Sequence, residues 1–101
     1  MGTLRWTLEA SECLQEIHAY IAKDNPDAAR RVIRDIYARA QDLKHFSKIG
    51  YEYTTRKGHA VRVLLFGHYR IVHQVLSDDA VEILGVFHGA MDLERILDAP
   101  P

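Results

Sequence analysis

Three side chains in this sequence could together cleave an RNA strand: Glu52, Arg62 and His88. A base among them would take the 2′-hydroxyl proton, the arginine would steady the pentacovalent phosphate, and an acid would protonate the leaving oxygen. His88 stands where an apolar run, Val81 to Phe87, stops against Gly89. Arg62 interrupts Val61, Val63 and Leu64, and Arg70 repeats the situation one segment later. A guanidinium among such neighbours costs stability unless its head finds water or an anion. The plainer alternative is that Arg62 and Arg70 alternate outward and make ordinary surface ion pairs with Glu82. On the residues alone the plainer reading has the edge.

Other chemistry has less to stand on. The six histidines show no Cys/His pairing at ligand spacing, so neither a metal nor another cofactor is expected. No Gly-rich phosphate loop follows a strand. The single cysteine, Cys13, falls on an apolar helical stripe and reads as a small buried hydrophobe. Ser11, Ser47 and Ser77 lie in no nucleophile elbow.

The elements that must position these residues follow from periodicity and punctuation. Leu4 to Thr7 reads as an opening strand. Thr7 caps a helix whose stripe is Ala10, Cys13, Leu14, Ile17, Tyr20 and Ile21. Asn25 caps a second helix, with Pro26 at its first position and Ala29, Val32, Ile33, Ile36, Tyr37, Ala40 and Leu43 as its stripe. So short a connection predicts an antiparallel helical hairpin. Phe46 to His59 reads as a loop with room for a short irregular strand. Three strands follow: Val61–Phe66, Tyr69–Leu76 and Ala80–His88. They turn at Gly67-His68 and at Ser77-Asp78-Asp79. Leu93, Ile96 and Leu97 predict a short terminal helix in a tail over 92–101. The expected fold is a two-layer α+β domain over residues 1–101. An N-terminal strand joins the edge of a three-strand meander, and the helical hairpin packs on one face of an antiparallel sheet. The other face is left as a binding surface.

The bulk numbers narrow the function classes. With 101 residues and 48% hydrophobic content the chain makes one domain with a real core. Its formal charge is −1, where a dedicated nucleic-acid binder carries a basic excess. Arg30, Arg31, Arg34 and Arg39 are interleaved with Asp27, Asp35 and Asp42, which predicts a solvated helix face. A lone cysteine, no leader-like apolar start and no apolar run near 20 residues predict a cytoplasmic chain without a membrane partner.

The order and spacing of several segments then carry a resemblance. They are Trp6, Ala10 and the Leu14-Ile17-Tyr20-Ile21 helix; Asn25-Pro26-Asp27-Ala28-Ala29; Gly50; Val61-Arg62-Val63-Leu64; Tyr69-Arg70-Ile71-Val72; and Val81-Glu82-Ile83-Leu84 running into His88. Over about residues 4 to 97 the chain resembles the ParE branch of the ParE/RelE superfamily, the toxins of bacterial type II toxin–antitoxin pairs. The ending His88-Gly89-Ala90-Met91-Asp92, with Leu93 and Leu97, looks like the ParE ending.

The resemblance implies a non-catalytic toxin that inhibits DNA gyrase and is neutralised by a cognate antitoxin, with operator DNA contacted only through that antitoxin. Arg56, Lys57, Arg62, Arg70, His88, Asp92, Leu93 and Leu97 are the expected target contacts. The alternative it carries is a RelE-like, ribosome-dependent mRNA endoribonuclease, with Glu52, Arg62 and His88 as the catalytic set. A third reading is a decayed toxin that serves only as a repressor partner.

Overall fold

In a computed structural model, residues 2–77 and 79–89 are described. The elements run β1 (Thr3–Trp6), α1 (Leu8–Ala22), α2 (Pro26–Gln41), a 3-10 turn (Asp42–Lys44), β2 (Tyr51–Thr54), β3 (Ala60–Phe66), β4 (Tyr69–Ser77) and β5 (Ala80–His88). The expected terminal helix, with Asp92, Leu93 and Leu97, lies outside the described residues, as does Asp78 of the expected turn.

Local chemistry sets the helix boundaries. The Thr7 hydroxyl accepts from the Ala10 amide at 3.1 Å and donates to the Ile83 carbonyl at 2.8 Å, so one oxygen both caps α1 and ties it to β5. Asn25 Oδ1 accepts from the Ala28 amide at 3.0 Å, and Pro26 takes the first position of α2. The hairpin packs on one sheet face through Ala10, Ile36, Ala40 and Leu43 against Leu64, Ile71, Val81, Ile83 and Val86. Two expected stripe residues leave this core: Tyr20 and Tyr37 are 75% and 51% exposed.

The sheet order is β1-β5-β4-β3-β2. The β3–β4–β5 meander is antiparallel, as expected. β1 joins the free edge of β5, but in parallel, Thr3 opposite Ala80 and Trp6 opposite Ile83, so the sheet is mixed rather than antiparallel. With the helices and the whole meander between the two strands, no tight turn dictates their relative direction. The second correction is β2. The segment read as a loop with room for a short irregular strand holds a regular one, with Tyr51 opposite Val63 and Thr54 opposite Ala60. Polar edge strands that bury little give only a faint alternation.

A bulge in β5 resets the faces. Val72 pairs Gly85 and His73 pairs Ile83, which leaves Leu84 without a partner. Ile83 and Val86, three apart, therefore both face the helices. On the other face Val61, Val63 and Val72 form a second small core, covered by Tyr53, Leu84 and Phe87. A Cβ at Gly85 would sit 2.6 Å from Phe87 Cζ, so the ring lies across the bare glycine. The face expected to be a free binding surface is thus partly closed by the protein's own side chains.

Candidate functional site

The polar residues divide between two ends of the sheet. At the β2–β3 end, Glu52 and Arg62 are register partners, and Arg62 in turn lies opposite His73. Arg62 shares the helix-side parity of Leu64, so it does not alternate outward. Its Nη2 donates to the Gly50 carbonyl at 2.9 Å, and its Nη1 lies 3.4 Å from Glu52 Oε1. The expected Glu82 partnership is replaced as well. Glu82, on the other face, pairs with Arg5 and accepts from Gln74 Nε2 at 2.8 Å.

The loop that receives Arg62 is fixed by Gly50. Its φ is +92°, and a Cβ there would come 2.3 Å from the Val63 carbonyl oxygen, so only glycine lets the loop lie this close to β3. Beneath the loop His73 is fully buried, with Nε2 3.3 Å from the Ser47 carbonyl. A carbonyl only accepts, so Nε2 carries the proton. Burial pushes the His73 pKa below the ordinary histidine value. The Ser47 carbonyl opposes the shift, and the Arg62 charge adds to it. His73 is therefore neutral at pH 7. Among the described residues, His73 Nδ1 and Arg62 Nε have no hydrogen-bond partner.

His88 lies at the opposite end, across from Tyr69. Its ring meets Tyr69 edge-on at 5.7 Å and stacks on His68 at 6.0 Å. The four residue steps along β4 from His73 to Tyr69 span roughly 13 Å at strand rise, before the width of the sheet is added. His88 is therefore far from the Glu52–Arg62 pair, and proton transfer requires contact near 3 Å. The three side chains read as a catalytic set are not assembled.

The remaining candidates scatter further. Arg56 and Lys57 are exposed at the tip between β2 and β3, where Thr55 and His59 close a tight turn. Arg70 is half-buried on the outer face, between Leu65 and Phe87 in register. No group of three His, Cys, Asp or Glu side chains converges to hold a metal ion among the described residues. On α2, Arg30 pairs with Asp27, Arg34 with Asp35 and Arg39 with Asp42, the solvated face expected from their spacing.

Two grooves escaped sequence reasoning. One, of about 510 Å³, runs between α1 and the β4–β5 end, with Cys13, Ile17, Ile21, Tyr69 and Val86 among its walls. The other, of about 750 Å³, lies on the outside of the hairpin, where Arg30, Arg31 and Arg34 surround Tyr37. Tyr37 itself stacks on Trp6 at 5.8 Å. His73 was also missed as a positional residue, although it is the one polar side chain in the helix-side series Ile71, His73, Val75.

Comparison with known proteins adds three findings. The family model described as the ParE toxin of the type II toxin–antitoxin system parDE matches residues 4–93. A protein of Sinorhizobium fredii named as a candidate toxin, Y4kP, is 37% identical over 98 residues, covering 93% of this chain and 95% of its own. A chain from a chromosomal ParDE toxin–antitoxin system of P. aeruginosa superimposes with a TM-score of 0.68 at 22% identity, covering 87% of this chain and 96% of that one.

Proposed function

This chain belongs to the ParE toxin family of type II toxin–antitoxin systems, and from that premise we propose that it acts by inhibiting DNA gyrase while a cognate antitoxin holds it in check. The observation that carries the reading is the separation of His88 from the Glu52–Arg62 pair by the length of β4. Arg62 is held by Gly50 and Glu52, and His73 is neutral and sealed beneath the same loop. A ribosome-dependent nuclease needs acid, base and phosphate clamp around one phosphate. This sheet offers no such focus among the described residues.

Inhibition by surface recognition asks less of the geometry. The groups suited to it are Arg56 and Lys57, exposed at the β2–β3 tip, the half-buried Arg70 on the outer face, and the exposed His88 at the end of β5. The antitoxin is the partner that membership of the family implies. The outside of the hairpin suits an acidic, amphipathic segment that folds on binding, because Arg30, Arg31 and Arg34 surround an exposed tyrosine there. Operator DNA is reached only through that antitoxin, and the compartment is the cytoplasm, where gyrase works.

The test is a pair of assays on the purified toxin. Supercoiling by gyrase should stop, with cleaved DNA accumulating, and the antitoxin should restore it. Translating ribosomes should leave mRNA intact. Cut mRNA with unaffected gyrase would overturn the proposal.

A further inference from the structure

The helical hairpin turns one side to the sheet and the other outward. On α1 the outward residues are Leu8, Glu12, Gln15 and Ala19, and on α2 they are Asp27, Arg31, Arg34 and Ala38, all exposed. Each set repeats at spacings of four, three and four, the pattern of a helix seam that can lie along another helix. The two seams differ in charge. α1 presents Glu12 with Glu16 beside it, and α2 presents Arg31 and Arg34. Leu8, at one end of its seam, is 71% exposed.

Neither charge is met within the chain. Among the described residues Glu12 and Glu16 make no ion pair, and neither does Arg31. Arg34 reaches Asp35 only at 3.4 Å, between two exposed side chains, a contact worth little. Asp27 is taken up by Arg30. Glu16 stands on the flank of α1 away from α2: it lines the groove toward the strands, whereas Arg31 and Arg34 line the one outside the hairpin. The arginines therefore suit an acidic amphipathic helix from another chain, and α1 of a second copy is such a helix.

Symmetry allows both seams to be used at once. A twofold axis parallel to the helices lays α1 of each protomer antiparallel on α2 of the other. Counted from the turn at Asp24, Glu16 stands level with Arg31, and Glu12 with Arg34, to within roughly 3 Å along the axis. Opposite charges thus meet without sliding the helices, and the small Ala19 and Ala38 let the backbones approach. The other twofold, running across the helices, would set Arg31 and Arg34 against their own copies and is opposed by like charge.

We infer that the outer face of the hairpin is a self-association surface, on which two copies form a four-helix contact through Glu12 and Glu16 of one and Arg31 and Arg34 of the other. Its seam is mostly polar, so the dimer is weak and salt-dependent, with a dissociation constant on the order of tens of micromolar. An acidic antitoxin segment and a second copy exclude one another on these arginines. The inference concerns this chain alone and does not rest on the gyrase reading.

Sedimentation equilibrium of the full chain tests it. At about 0.05 M salt a monomer–dimer equilibrium should appear, and about 0.5 M salt should weaken it about tenfold. The double variants Arg31→Glu, Arg34→Glu and Glu12→Arg, Glu16→Arg should each stay monomeric up to about 0.5 mM, because each sets like charge on like. Mixed in equal amounts they should dimerise as the parent does, since every contact in the mixed pair again joins opposite charges. All four positions are exposed, so the variants' circular dichroism melts should match the parent's. The salt series on the parent needs no variant at all. A parent that stays monomeric at about 0.5 mM in low salt would overturn the proposal. So would a dimer that neither salt nor the variants weaken, which would lie on another face, or a mixture that stays monomeric. No readout involves gyrase, so each proposal can fail without the other.

Discussion

The two ends of the sheet are built to opposite purposes. At the β2–β3 end, charged and polar groups are spent on the protein itself. Arg62 holds the Gly50 carbonyl, His73 meets the Ser47 carbonyl, and the loop between them is pressed onto β3. At the β4–β5 end the polar groups are exposed and the buried surface is apolar, with His88 and His68 at the margin of a groove that the described residues leave open. Residue type alone would place the chemistry at the first end. Partner accounting and burial place it at neither, because a guanidinium already bonded to the Gly50 carbonyl and a histidine sealed from solvent have little left to offer a substrate.

Substitutions that break the contrast should do so with graded effects. The largest is expected for Gly50→Ala. It combines a positive φ with a Cβ driven into the Val63 carbonyl, and should cost at least about 2 kcal/mol by urea denaturation, with the β2–β3 end most affected. A loss below about 0.5 kcal/mol would mean that the loop can lift off β3 at little cost.

Next is the pH dependence set by His73. Its folded pKa lies below the unfolded value of about 6.5, so the unfolded state takes up the proton first as pH falls. The stabilising contribution is complete above about pH 6.5 and is lost as pH drops from there through the folded pKa. The slope has an upper limit of about 1.4 kcal/mol per pH unit for one group. His73→Gln should be less stable at pH 7.5 but show a flatter decline toward pH 5. Parallel curves for both proteins would place the titration elsewhere.

Arg62→Met should cost about 1–2 kcal/mol, since it strips the Gly50 carbonyl of its donor and leaves the stem's packing in place. Glu52→Gln should cost under about 0.5 kcal/mol, because that carboxylate is 82% exposed. Equal costs for the pair would show that the ion pair, rather than the carbonyl bond, holds the loop. The smallest effect belongs to His88→Ala: a melt within about 0.5 kcal/mol of the parent, and growth arrest on induction that persists. Ribosome-bound mRNA cut by the parent but spared by His88→Ala would return His88 to a catalytic role.

Much of the fold could be read from the chain. Thr7 and Asn25 cap the helices as their types require, and Gly67-His68 turns β3 into β4. β2 could not, because Tyr51 to Thr54 is a polar edge segment with only Tyr53 half-buried. Of the candidate site, Glu52 and Arg62 were legible as residue types, but their pairing was not, since the ion pair expected for Arg62 was with Glu82. The distance to His88 was not, because separation along a neighbouring strand depends on register.

The sequence by itself determined the two helices, the three meander strands and the two-layer arrangement, because caps, turns and periodicities act within a few residues of one another. The tertiary structure alone decided which face Arg62 takes. Ala60 to Phe66 is apolar on both sides, so its alternation points nowhere until Leu64 meets the helices. It also decided that β1 runs parallel to β5 and that Leu84 bulges so that Ile83 and Val86 share one core. These are long-range choices, settled by which apolar surfaces can be buried together, and no short stretch of the chain contains them.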